Sequence, residues 1–163
     1  MNALLPKAIV AFLALPGMVA FLIPLALVAP GRLEKFSNPV GSLPLGIGIV
    51  GLLWCVVEFY RAGRGTLAPW TPPKALVVTG LYHYSRNPMY LAVLLILLGW
   101  AIGFRSWKLA SYSVMVAIAF HLRVVLNEEP FLRRTQGAAW QHYASTVPRW
   151  LGGRRMREVR GGL

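Results

Sequence analysis

Cysteine and acidic residues are scarce in this chain, and each scarcity excludes something. There is one cysteine, Cys55, so no disulfide framework can form within the chain. It lies inside an apolar run, where a small buried hydrophobe is the expected role. Five acidic residues stand against 17 basic ones, and charged residues make up only 13% of the whole. A soluble domain of 163 residues needs far more polar surface than this. What fills the chain instead is 56% hydrophobic residues, with a mean hydropathy of +0.56. Lipid is the natural solvent for such a sequence. The net charge of +12 does not point to nucleic acid, because the basic residues sit between long apolar runs and no RNA- or DNA-reading motif appears. No metal site is expected.

Four apolar spans are read, at about 8–29, 40–60, 88–104 and 107–126. At 1.5 Å per residue, roughly 20 residues cross the ~30 Å hydrocarbon core. Pro16 and Pro24 are expected to bend the first span, with neighbours or water satisfying the carbonyls they free. That span is long for a signal-peptide core, and Pro30 follows its only small-residue cleavage site, so cleavage is disfavoured. The third and fourth spans are joined by Arg105-Ser106 and must form an antiparallel hairpin. Beyond them, about 130–145 places Leu132, Gln136, Ala139, Trp140 and Tyr143 on one helical face, the pattern of an interfacial helix.

The expected fold is therefore an all-α integral membrane protein. It has four transmembrane helices, a C-terminal helical hairpin and an interfacial C-terminal helix. Residues 1–151 form one domain, and 152–163 form a mobile basic tail over anionic lipid. The loop 61–87 is rich in Gly and Pro, and its strand-like run Ala75–Val78 is too short for a sheet. With four spans, one side collects twelve Lys and Arg residues and the other four, namely Arg32, Lys35, Arg105 and Lys108. That asymmetry puts both termini in the cytoplasm, and a bacterial or archaeal inner membrane is the expected location.

The densest signal is Thr79-Gly80-Leu81-Tyr82-His83-Tyr84-Ser85-Arg86-Asn87-Pro88-Met89-Tyr90. Asn87 is a good N-cap and Pro88 a good first helical residue. The third helix then starts at Pro88, and its N-terminus favours an anion. Arg86 adds a fixed fork of donors just outside it. The fourth helix returns to within about one turn of this level, at ~1.5 Å per residue, and ends near Leu126, so Glu128 and Glu129 should lie close to Arg86. Two carboxylates at a helix C-terminus oppose the dipole, so a cation is expected beside them. One reading is an ion pair from Arg86 to Glu128 or Glu129 with no further role. The other is a site with an anion-binding end and a cation-binding end, which matches the amino-acid moiety of S-adenosylmethionine.

Together these residues resemble a known family. Thr79-Gly80-x-Tyr82, Arg86-Asn87-Pro88-x-Tyr90, an apolar hairpin, then Glu128-Glu129-x-x-Leu132, Gly137, Tyr143 and Val147-Pro148-Arg149 look like the integral-membrane methyltransferases. These include the isoprenylcysteine carboxyl methyltransferases and phospholipid N-methyltransferases. The resemblance covers about Gly65 to Arg149. It implies S-adenosylmethionine bound at the cytoplasmic ends of the last two helices. Arg86, Asn87, Pro88, Tyr90, Glu128 and Glu129 would form the pocket, with Tyr82 and Tyr143 as wall residues and Arg86 and Glu129 as the catalytic pair. Asn87 stands where eukaryotic members often have His. The implied acceptor is a lipophilic or lipidated molecule, such as a prenylated carboxylate or a phospholipid amine, met among membrane lipids. The competing class is a non-catalytic four-helix scaffold or small carrier. His121 and Arg123 take no family role and are read as snorkelling or interhelical hydrogen-bonding residues.

Overall fold

The computed structural model describes residues 13–28, 36–62 and 76–152. Residues 1–12, 29–35, 63–75 and 153–163, and with them both ends of the first span, part of the 61–87 loop and the basic tail, lie outside the described residues. Among those described, the chain is helical and contains no strand. A π-helical stretch Leu13–Leu22 runs into α1 (Ile23–Leu27). A 3-10 turn at Pro39–Gly41 leads into α2 (Ser42–Ala62). A second 3-10 turn, Gly80–His83, precedes α3 (Pro88–Gly103). Then come α4 (Trp107–Arg123), a π-helical segment Val124–Glu128, and α5 (Glu129–Thr146).

Helix α3 is the centre of the packing, in contact with α2, with α4 and with the first helical stretch. Its Ala92, Val93, Ile96 and Leu97 are buried with Leu52, Val116 and Ala20. The approach of α2 to α3 depends on glycine. A Cβ on Gly99 would fall 2.7 Å from the backbone nitrogen of Leu45 and 2.8 Å from the carbonyl of Gly41. A Cβ on Gly48 would fall 2.7 Å from the Ala92 carbonyl. Small residues let helix backbones come this close. Outside this packing, α2 and α4 expose apolar side chains, among them Ile47, Val50, Trp54, Met115 and Ile118. Two helical stretches, Pro39–Glu58 and Trp107–Thr146, are long and apolar enough to cross a membrane. The apolar helices Pro16–Leu27 and Pro88–Gly103 are shorter.

A carbonyl that proline frees in the first stretch finds another donor. Pro24 has no N–H, so the Ala20 carbonyl loses its usual helical donor. Trp100 Nε1 on α3 donates to that carbonyl at 3.0 Å, and Tyr112 Oη on α4 donates to the Val19 carbonyl at 3.1 Å.

Two sequence expectations are corrected. The fourth helix does not end near Leu126. Helical structure continues through Val124–Glu128 into α5, so the paired glutamates sit inside a helical run rather than at its C-terminus. The π segment, in which the Glu129 N–H bonds the Val124 carbonyl, adds a residue to the local turn and re-aims the start of α5. The helix read at about 130–145 is present as Glu129–Thr146, interrupted at Gly137, where φ is 49° and ψ −121°. That left-handed φ suits glycine. Finally, Asn87 occupies the position before α3 but makes no side-chain cap, because its amide is used elsewhere.

Candidate functional site

The end of α3 that starts at Pro88 and the start of α5 are held together by a chain segment that crosses them. After α5 the backbone turns at Val147-Pro148. The Arg86 N–H donates to the Pro148 carbonyl at 2.9 Å, and Asn87 Nδ2 donates to the Arg149 carbonyl at 2.9 Å. Buried Ser85 donates its hydroxyl to the same carbonyl at 3.4 Å and accepts the Asn87 N–H at 3.2 Å. This is why Asn87 is not a cap: its amide fixes the segment that carries Arg149.

Two guanidinium groups consequently converge on one carboxylate. Arg86 Nη1 lies 2.9 Å from Glu129 Oε1. Arg149 approaches in a fork, Nε at 2.7 Å from Oε1 and Nη2 at 2.7 Å from Oε2. The Glu129 and Arg86 side chains are only 12% and 13% exposed. Planar two-point contact of this kind is stronger and more specific than a single hydrogen bond. Arg86 also lies over the Trp140 ring, 5.6 Å from its centroid. Its Nε is buried and has no hydrogen-bond partner among the described residues.

Glu128 faces a different set. It accepts from the Tyr90 hydroxyl and from Arg123 Nε, the latter at 2.8 Å. Tyr90 stacks on Phe120 with ring centroids 4.3 Å apart. The two adjacent glutamates thus serve two neighbouring clusters, one with Arg86 and Arg149, the other with Tyr90 and Arg123.

The wall is aromatic. Tyr143 Oη donates to the Tyr82 carbonyl at 2.6 Å and packs with Trp140 and Val147. Burial pushes the Tyr143 phenol up, against the pull of the Arg86 charge, so it stays protonated and a donor. Tyr82 is buried beside Cys55 and Val77. Gly80, with φ of 58°, lets the preceding turn sit directly on Glu58, whose carboxylate accepts from the Thr79 hydroxyl at 2.7 Å. Trp150 Nε1 donates to His121 Nδ1 at 3.3 Å, and Arg123 pairs with Glu128, so both residues without a family role have partners.

Burial works to raise the Glu129 carboxyl, but the Arg149 hydrogen bonds and the charges of Arg86, Arg149 and Arg133 outweigh it and hold it below the usual range. A carboxyl lowered on folding contributes its full stability above the ordinary carboxylate range. That contribution is lost as pH falls through the lowered folded value. Thermal unfolding of the wild type is therefore expected to show an acid-side loss that Glu129→Gln lacks. Matching acid limbs in the two proteins would refute the coupling.

Of the residues singled out in the sequence, Arg86 and Glu129 touch directly, and Tyr90 touches Glu128. Tyr82 and Tyr143 touch each other, while Asn87 and Pro88 position the start of α3. Sequence reasoning misses Arg149 as a member of the cluster. Its signal lies in the Val147-Pro148-Arg149 element of the motif, but its reach back to Glu129 depends on the turn after α5. Among the described residues, no group of three or more His, Cys, Asp or Glu is placed to hold a metal ion.

Comparison with known proteins gives one assignment. Neither the curated proteins nor the solved structures provide a match. The family model described as phospholipid methyltransferase matches residues 42–139, from the start of α2 into α5. That is more than half of the chain, and Arg86, Glu128 and Glu129 fall within the matched range. The chain belongs to the phospholipid methyltransferase family.

Proposed function

We propose that this protein transfers a methyl group from S-adenosylmethionine to a lipophilic acceptor at the cytoplasmic face of a membrane. Family membership supports methyl transfer in a lipid setting. The observation that carries the residue assignment is the convergence of Arg86 and Arg149 on Glu129, with Glu128 beside it on Tyr90.

The donor set fits the amino-acid end of the cofactor, which carries a carboxylate and an ammonium. The partnerless buried Nε of Arg86 is a donor whose desolvation is unrepaid among the described residues. Arg149 and Glu128 are each about a third exposed, within reach of a ligand. In this reading Arg86 and Arg149 orient the carboxylate and Glu128 accepts the ammonium. Trp140 and Tyr143 form the side that excludes water. The bound cofactor supplies an electrophilic sulfonium methyl. The protein supplies mainly position and water exclusion. A carboxylate acceptor needs no base. An amine acceptor needs a proton acceptor.

The membrane arrangement that goes with this reading has four crossing helices, with α5 at the cytoplasmic surface. The outward apolar faces of α2 and α4 support it, since a soluble protein rarely exposes such continuous apolar surface. The gathering of the ionised residues beyond one end of α3 and α4 supports it as well. A non-catalytic scaffold is the second reading, because the Arg86–Glu129–Arg149 triad would also serve as a structural staple.

Calorimetric titration with S-adenosylmethionine separates the two. The wild type in nanodiscs is expected to bind, and Arg86→Ala or Glu129→Ala to abolish binding. Unchanged affinity in both folded variants overturns the residue assignment. Absence of binding by the wild type, in detergent and in nanodiscs, leaves the scaffold.

A further inference from the structure

The segment after α5 crosses the Arg86–Glu129 cluster as a strap, and two different elements hold it. At the start of α3, the Pro148 carbonyl accepts from the Arg86 N–H, and the Arg149 carbonyl accepts from Asn87 Nδ2 and the Ser85 hydroxyl. The next residue reaches α4 instead. Trp150 Nε1 donates to His121 Nδ1 at 3.3 Å, and the two rings stack with centroids 6.2 Å apart and planes 29° apart. Arg149 stands between these two holds, and from there its fork closes on Glu129.

The hold from α4 is placed where it matters. The Asn87 and Ser85 bonds end at the Arg149 carbonyl, so they fix one peptide group and leave the chain beyond it free to turn. The Arg149 side chain is 35% exposed, and a guanidinium on a segment tied at one end alone exchanges its carboxylate for water at little cost. Trp150 ties the other end. Its donor needs a neutral imidazole with the proton on Nε2, which makes the contact directional rather than a loose stack. The last turn of α4 therefore serves both glutamates. Arg123 does so by touching Glu128, and His121 does so through the residue that follows Arg149.

We propose that the His121–Trp150 contact is a latch, and that His121 is a positioning residue for Arg149. Among the described residues His121 has no hydrogen bond or ion pair with Arg149 or Glu129. It acts by keeping Trp150 docked on α4, which keeps the fork on Glu129 closed. The bearing of the latch on catalysis rests on the reading given under Proposed function, in which Arg149 orients the carboxylate of the cofactor.

Trypsin reads the latch at the residue it controls. Cleavage after Arg149 needs the strap extended and the guanidinium withdrawn from Glu129 into the protease, so its rate follows the population of the unlatched state. In nanodiscs, His121→Phe keeps an aromatic ring against Trp150 and removes the acceptor. It is expected to speed cleavage after Arg149 about fivefold, the worth of one hydrogen bond. His121→Asn returns an acceptor at the δ position and should restore most of the protection. Arg133 and Arg134, inside α5, are the internal control, because they are cut only when that helix opens. Cleavage there should be the same in all three proteins. Unchanged cleavage after Arg149 in His121→Phe overturns the proposal. So does an equal rise at Arg133 and Arg134, which would make His121 a general stabiliser, and so does an Asn variant as open as the Phe variant. Saturating S-adenosylmethionine keeps the two readings separate. It is expected to slow cleavage after Arg149 in the wild type. Failure to do so removes Arg149 from the cofactor site, while the latch stands or falls on the His121 variants.

Discussion

Replacing Glu129 with Ala is expected to lower stability by about 3–5 kcal/mol, the cost of breaking a buried pair by removing one partner. The substitution strands two guanidinium groups. Arg86 is nearly buried, whereas Arg149 is 35% exposed and can rehydrate, so most of the loss comes from Arg86. Chemical unfolding in detergent measures it. The same physics makes a sharper experiment. Converting all three members to apolar residues, Arg86→Met with Glu129→Leu and Arg149→Met, removes every charge at once. Stability should then recover most of the loss, because well-packed apolar groups often match or exceed a buried ion triad. S-adenosylmethionine binding should not recover. A triple variant that is stable and still binds would show that the triad is only a staple. A triple variant as unstable as Glu129→Ala would show that packing or geometry, not stranded charge, sets the cost.

The second large effect is expected at Gly99. Gly99→Ala places a methyl 2.7 Å from the backbone nitrogen of Leu45 and 2.8 Å from the Gly41 carbonyl. Overpacking by one methylene costs roughly 1–3 kcal/mol when side chains can yield. Here the obstacle is backbone on a facing helix, so the cost should reach or pass the upper end of that range. Gly46→Ala on the facing helix α2 is the control, since nothing lies within 4 Å of its would-be Cβ. A thermal midpoint for Gly99→Ala equal to that of Gly46→Ala would mean that α2 and α3 do not approach as described.

Much of this is legible in the sequence because the determining interactions are local. Pro88 fixes the first residue of α3, and the apolar runs give the extents of α2 and α3 to within a few residues. That Arg86 lies near the paired glutamates comes from helix rise, while the choice of Glu129 over Glu128 does not. The hidden parts depend on contacts between distant segments. Asn87 has every local property of a cap, yet the Arg149 carbonyl, 62 residues away, takes its amide. The stop expected near Leu126 rests on the end of the apolar run, and a stop there calls for cations beside the two glutamates. Cations are indeed present, but the helix runs on through the π segment, which sends Glu128 toward Tyr90 and Arg123 and Glu129 toward Arg86 and Arg149. Arg149 itself stands in plain view in the motif, and its role needs the turn after α5 to bring it back.

The bond from Trp100 to the Ala20 carbonyl sets an order of assembly. Synthesis runs from the N-terminus, and the donor is made 80 residues after the acceptor it satisfies. Until α3 is in place, the first segment carries a carbonyl that lacks this donor and must be served by water. Its final seat is therefore reached late, after α3 has packed against it, so truncation before Trp100 should leave the first segment unsettled.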